Sequence, residues 1–171
     1  MAPVLAHLSL ASAELPWKVP KTLSSSYKDK MQDEMVSAML VGNPEFGAIL
    51  ESATYYVGLM VIRPGVDYPR HAHDAAETFS VLRGEATWWK EGEGTRVVRP
   101  GEAVVHESKR GHGVVTGEEE LVCLYLWGPG GPGAELLGRY WFTNDEGGCV
   151  DCGISGMEWA KGGVCCVGCG R

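Results

Sequence analysis

Residues 65–84 read GVDYPRHAHDAAETFSVLRG, and a second stretch, 101–116, reads GEAVVHESKRGHGVVT. Alternate residues of a strand share a face, so His71 and His73 can both aim inward. Glu77 can return across the bend that follows, and His112 is placed to come from another strand. Three imidazoles and a carboxylate form a donor set that suits Fe, Mn, Zn, Ni or Co better than Ca or Mg. Four protein ligands leave a position open when the metal exceeds four-coordination, which is the condition for substrate chemistry rather than a purely structural ion.

The chain around this core has 171 residues, a one-domain length that buries a core without crosslinks. Hydrophobic content of 44% and charge of 22% are those of a globular protein. A net charge of −7 argues against nucleic acid as a partner, and Lys18, Lys21, Lys28 and Lys30 read as a solvated face. No apolar run reaches membrane-spanning length, so no membrane is expected as a partner. The opening residues lack the basic region of a secretory leader. Five of the six cysteines crowd into the last 23 residues instead of forming a spread disulfide framework, so a reducing, cytoplasmic setting is expected.

Three parts are expected: an arm and amphipathic helix over 1–44, a barrel over 45–146, and a Cys-rich tail over 147–171. The helix, from Ser24 to about Leu40, is predicted from Tyr27, Met31, Met35 and Met39 recurring every four residues. Strands are expected at 55–62, 78–82, 86–89, 95–98, 103–106, 113–115 and 121–127, with a last strand, or a short helix and a strand, between Leu136 and Asn144. Gly-rich turns separate them without βαβ alternation, so the fold class is all-β, a closed antiparallel barrel or sandwich.

In the tail, Cys149, Cys152, Cys166 and Cys169 form two C-x-x-C-G turns, a spacing that fits a structural zinc site. Cys123 lies in an apolar strand and reads as buried and inert.

The order Gly65, His71, His73, Glu77, Gly84 resembles the first motif of the cupin superfamily, and Gly101 with His112 matches the second in part. Glu107, Lys109 and Thr116 stand where that motif usually has Pro, Gly and Asn. The resemblance covers about 54–127 and implies a double-stranded β-helix, jelly-roll-like barrel with one metal.

Within the superfamily the residues are similar to the cupin-type dimethylsulfoniopropionate (DMSP) lyases. The similarity rests on Tyr68-Pro69, Ala76, Val81-Leu82, Gly84, residues 86–88, His106-Glu107-Ser108, His112 and Thr116. It implies cleavage of a small-molecule substrate, DMSP or a close analogue, to dimethyl sulfide and acrylate. The reaction needs a base for the α-proton and a surface for the sulfonium.

In those lyases a Tyr commonly lies two residues after the ligand Glu. Here that residue is Phe79, so the base is sought at Tyr68 first, then Tyr140 and Tyr125, with Tyr56 a weaker fourth. Trp88, Trp89, Trp127 and Trp141 offer aromatic faces for the sulfonium. Phe79, Trp88, Trp127 and His106 are the expected substrate pocket, and His106 reads equally as a base behind the ligands or as an outward strand residue. An Fe(II) cupin oxygenase and a metal-containing cupin that binds without turnover are the alternatives, and a homodimer is left open.

Overall fold

The computed structural model describes residues 12–19 and 33–130, with the backbone of 140–142 and Thr143. In chain order the strands are β1 (Trp17–Lys18), β2 (Met35–Gly42), β3 (Leu50–Glu51), β4 (Tyr56–Ile62), β5 (Asp67–His73) and β6 (Ala76–Arg83). They continue with β7 (Ala86–Lys90), β8 (Gly94–Val98), β9 (Ala103–His106), β10 (His112–Thr116), β11 (Leu121–Gly128) and β12 (Tyr140–Phe142).

Among the described residues they form two sheets. One runs β1-β2-β4-β11-β6-β9, with β3 joined to β2, and the other runs β12-β5-β10-β7-β8. All pairings are antiparallel except β2 with β3. This is the expected all-β architecture.

The helix expected over 24–40 is corrected in its second half: Met35–Gly42 is a strand, antiparallel to β4 from Met35 opposite Ile62 to Val41 opposite Val57. The residues before it, 20–32, lie outside the described residues. A spacing of four is even, so Met35 and Met39 share a face in a strand as readily as in a helix. The strand wins because its ladder and buried Met35 and Ala38 close the edge of β4.

The inward faces of three neighbouring strands grade from packed core to open site. On β11 the order is Leu121, Cys123, Tyr125, Trp127; on β6 it is Val81, Phe79, Glu77; on β4 it is Ile62, Met60, Tyr56. Ile62, Leu121 and Cys123 are fully buried, and each large aliphatic side chain removed from water in this way contributes about 1.5–3 kcal/mol. Towards the other end Met60, Phe79, Tyr125 and Trp127 line a cavity of about 160 Å³. The packed end therefore closes the core while the same strands carry cavity-lining side chains at the other.

Two motif positions that depart from the usual residues keep the geometry. Lys109 takes the left-handed φ of +65° that glycine adopts without strain, and its N–H donates to the His73 carbonyl at 2.7 Å. Thr116 Oγ1 donates to Arg63 O at 2.7 Å and accepts from Val66 N–H at 2.8 Å, pinning the turn that holds Gly65 at φ +71°.

Candidate metal centre and substrate cavity

His71 and His73 lie in the last three residues of β5, Glu77 is the second residue of β6, and His112 begins β10 directly opposite His71. Strand alternation turns all four inward, and each is at least 96% buried. One ligand atom from each lies within 4.8 Å of the other three. The structure thus brings together the four residues singled out in the sequence.

The backbone sets the imidazole tautomers. His71 Nδ1 faces Pro69 O at 2.7 Å, His73 Nδ1 faces Ala75 O at 3.0 Å, and His112 Nδ1 faces Arg110 O at 2.8 Å. A carbonyl only accepts, so each Nδ1 carries the hydrogen and each Nε2 keeps a lone pair for the centre. Glu77 Oε2 then stands 3.2 Å from His73 Nε2 and 3.2 Å from His112 Nε2, acceptor against acceptor.

A cation among these four atoms turns mutual repulsion into four bonds, so the donor set fits a metal ion. Protons are a poor substitute. Burial, followed by the neighbouring His112 and His73, holds His71 well below the usual imidazole range, and burial brings His112 down to about 3.

Trp127 supplies an orientation that sequence reasoning did not find. Its indole N–H donates to Glu77 Oε1, leaving Oε2 for the centre, and its ring lies 4.5 Å from that of His73. The register Trp127 opposite Glu77 between β11 and β6 makes the contact. A pairing across 50 residues has no local signature in the sequence.

The cavity is lined by His71 and Glu77 together with Tyr56, Tyr68, Phe79, Tyr125 and Trp127, and by Met35, Met39, Met60, Lys18 and Phe46. Tyr68 is buried and meets His71 edge-on, ring centroids 4.9 Å apart. Tyr125 lies across from Phe79, and burial, aided by Glu77, pushes its phenol up to about 12. Tyr140 is paired through its backbone with His73 on β12, while its side chain and that of Trp141 lie outside the described residues.

Two expected pocket residues stand behind the wall. Trp88 is buried against Phe79, centroids 4.9 Å apart, and His106 is buried against His112. Trp89 already carries the Arg70 guanidinium over its ring at 4.3 Å. The methionines at 35 and 39, expected in a helix, line the cavity instead. Cys123 is buried and free, and burial raises its thiol to about 12, which agrees with an inert packing role. Cys149, Cys152, Cys166 and Cys169 lie outside the described residues.

Two antiparallel sheets carrying a buried His₃Glu cluster that could hold a metal ion define a barrel of the cupin type. The chain belongs to the dimethylsulfoniopropionate lyase family, whose model matches residues 1–123. It is 30% identical over 117 residues to the dimethylsulfoniopropionate lyase DddQ of Ruegeria pomeroyi, a match covering 68% of this chain and 56% of that protein. The chain thus spans little more than half the length of this relative.

The crystal structure of DMSP lyase DddQ from Ruegeria pomeroyi superposes with a TM-score of 0.64 at 28% identity, covering 74% of this chain and 62% of that one. A chain from the crystal structures of DMSP lyases RdDddP and RnDddQII gives 0.66 at 20% identity, over 84% and 69%. A sugar phosphate isomerase of the cupin superfamily from Silicibacter pomeroyi gives 0.60 at 16% identity, over 78% and 80%, a likeness of fold alone. No helix among the described residues is long and apolar enough to cross a membrane.

Proposed function

We propose that this chain is a metal-dependent carbon–sulfur lyase that cleaves dimethylsulfoniopropionate, or a close analogue, to dimethyl sulfide and acrylate by base-promoted β-elimination. The observation that carries the reading is the juxtaposition of His71, His73, Glu77 and His112 with an aromatic cavity in a chain of this family.

His71, His73, Glu77 and His112 would hold one divalent first-row metal, drawn from Fe, Zn, Mn, Ni and Co. When bound, the metal would polarise the substrate carboxylate and make the neighbouring α-proton more acidic.

Tyr68 is the base of the reading, because it lines the cavity against a ligand imidazole. It takes the α-proton; the C–H electron pair becomes the new C=C bond, and the C–S pair leaves with dimethyl sulfide. A sulfonium departs without a general acid, and with no hydroxyl at Phe79 the role of base falls to Tyr68. Tyr125 is suited to a different task, since a phenol held at about 12 stays neutral. Its ring, with those of Tyr56, Phe79 and Trp127, offers the sulfonium the negative faces that attract cations. Tyr140 remains the second candidate for the base.

The tail cysteines Cys149, Cys152, Cys166 and Cys169 would hold a separate structural zinc. The reading includes a cytoplasmic location and a small molecule as the only class of partner besides a second copy of the chain.

The test follows acrylate by proton NMR after addition of dimethylsulfoniopropionate to purified protein of known metal content. Acrylate that accumulates with metal, ceases on chelation and returns on reloading supports the lyase. Metal-loaded protein that binds the substrate without forming acrylate supports a cupin that only binds.

A further inference from the structure

His106 is a fully buried imidazole that neither the ligand set nor the proposed elimination uses. Strand β9 pairs with β6 so that His106 stands directly opposite Glu77. Its ring stacks on His112, centroids 4.0 Å apart and planes 14° from parallel. Phe79 and Trp88 flank it at 6.0 and 5.7 Å. Among the described residues neither ring nitrogen makes a hydrogen bond, and Nδ1 lies 3.5 Å from Glu77 Oε2.

A buried imidazole without hydrogen-bond partners is costly where an aliphatic side chain of similar size would pack without loss. The acceptor it faces is the carboxylate of the centre. Neutral histidine carries one N–H, and donation from Nδ1 would satisfy the ring and a Glu77 lone pair together. Trp127 already holds the other oxygen, Oε1, so a donor on the His106 side restricts the carboxylate from two directions.

We propose that His106 is a positioning residue: through an Nδ1–H bond to Glu77, acting with the Trp127 indole, it fixes the direction in which Glu77 presents its oxygen to the metal. The inference rests on the reading of His71, His73, Glu77 and His112 as ligands. Groups that orient a ligand in this way tune metal affinity without touching the ion.

The first test is nitrogen NMR of the full, zinc-loaded chain. A proton on His106 Nδ1 is expected. An unprotonated Nδ1, whether from the other tautomer or from direct binding of zinc, overturns the proposal.

The second test compares His106→Leu, which fills the space without a donor, with His106→Asn, whose amide can donate from near the Nδ1 position. Zinc affinity is read by competition with a chromophoric chelator, and coordination by the visible bands of the cobalt-substituted protein. His106→Leu should weaken zinc binding by roughly 10- to 100-fold and shift the cobalt bands. His106→Asn should stay near the wild type in both. Equal affinity and spectra for His106→Leu and the wild type, or an Asn variant as weak as the Leu variant, contradicts the proposal. A wild-type chain that binds no zinc removes the ligand reading and this inference with it, whereas normal wild-type binding unchanged in His106→Leu removes this inference alone. The NMR measurement stands even when the Leu variant fails to fold.

Discussion

Tyr68 meets His71 edge-on, with ring centroids 4.9 Å apart and planes at 63°, so the proposed base and a proposed metal ligand share one strand and one face of the cavity. Tyr68→Phe removes only the hydroxyl from this arrangement. The substitution is expected to lower kcat by about 10²- to 10⁴-fold, the usual contribution of a positioned general base. Metal content should stay at the wild-type level. Near-normal turnover would pass the role to Tyr140.

Glu77 is the sole carboxylate in the four-residue cluster, so it would supply the one negative charge facing a divalent ion there. Glu77→Ala and His112→Ala should each weaken barrel metal binding by more than the roughly 10- to 100-fold typical of groups behind the ligands, and activity should fall with it. Metal analysis after gel filtration checks this. A second equivalent that persists in both variants would be the zinc of the tail cysteines.

Acid should destabilise the metal-free barrel. His112 is lowered from 6.5 to about 3 in the fold, so between these values the unfolded chain takes up a proton that the folded chain refuses. Stability therefore rises with pH across that window and is lost as pH falls through it. The loss amounts to a few kcal/mol in order of magnitude. Urea midpoints of chelated protein should fall steadily from pH 7 to pH 4. Bound metal should hold the midpoint higher at neutral pH and dissociate on acidification, because protons compete for the same lone pairs.

Thr116 should matter to stability and not to chemistry. Val in its place keeps the shape but removes the acceptor for Val66 N–H and the donor to Arg63 O. Thr116→Val should cost about 1–3 kcal/mol, the penalty for stranding buried polar groups. Turnover per folded molecule should be unchanged, and thermal unfolding beside a rate assay separates the two.

The clustering of the candidate ligands was legible in the sequence because strand geometry makes it so: His71 and His73 are two apart, and the bend after them returns Glu77 to the same interior. Phe79 was legible as a departure for the same reason, being two residues from Glu77 on one face. The methionine stripe was not, since a period of four serves a helix and a strand equally, and only the ladder to β4 decides between them. Nor could the sequence separate Trp127, which reaches Glu77, from Trp88, which packs behind Phe79. Both are inward strand aromatics, and their difference arises from a register set by long-range pairing. Glu77 and His106 meet for the same reason, as partners on β6 and β9 separated by a long excursion of chain.

The most direct test of the central claim is the release of dimethyl sulfide into the headspace over purified, metal-analysed protein supplied with dimethylsulfoniopropionate, with dissolved oxygen followed in the same vessel. The account predicts dimethyl sulfide and acrylate in equal amounts, no oxygen uptake, and loss of both products in Glu77→Ala. No dimethyl sulfide from a wild-type chain carrying a full equivalent of barrel metal, or oxygen consumed in step with substrate, would contradict it.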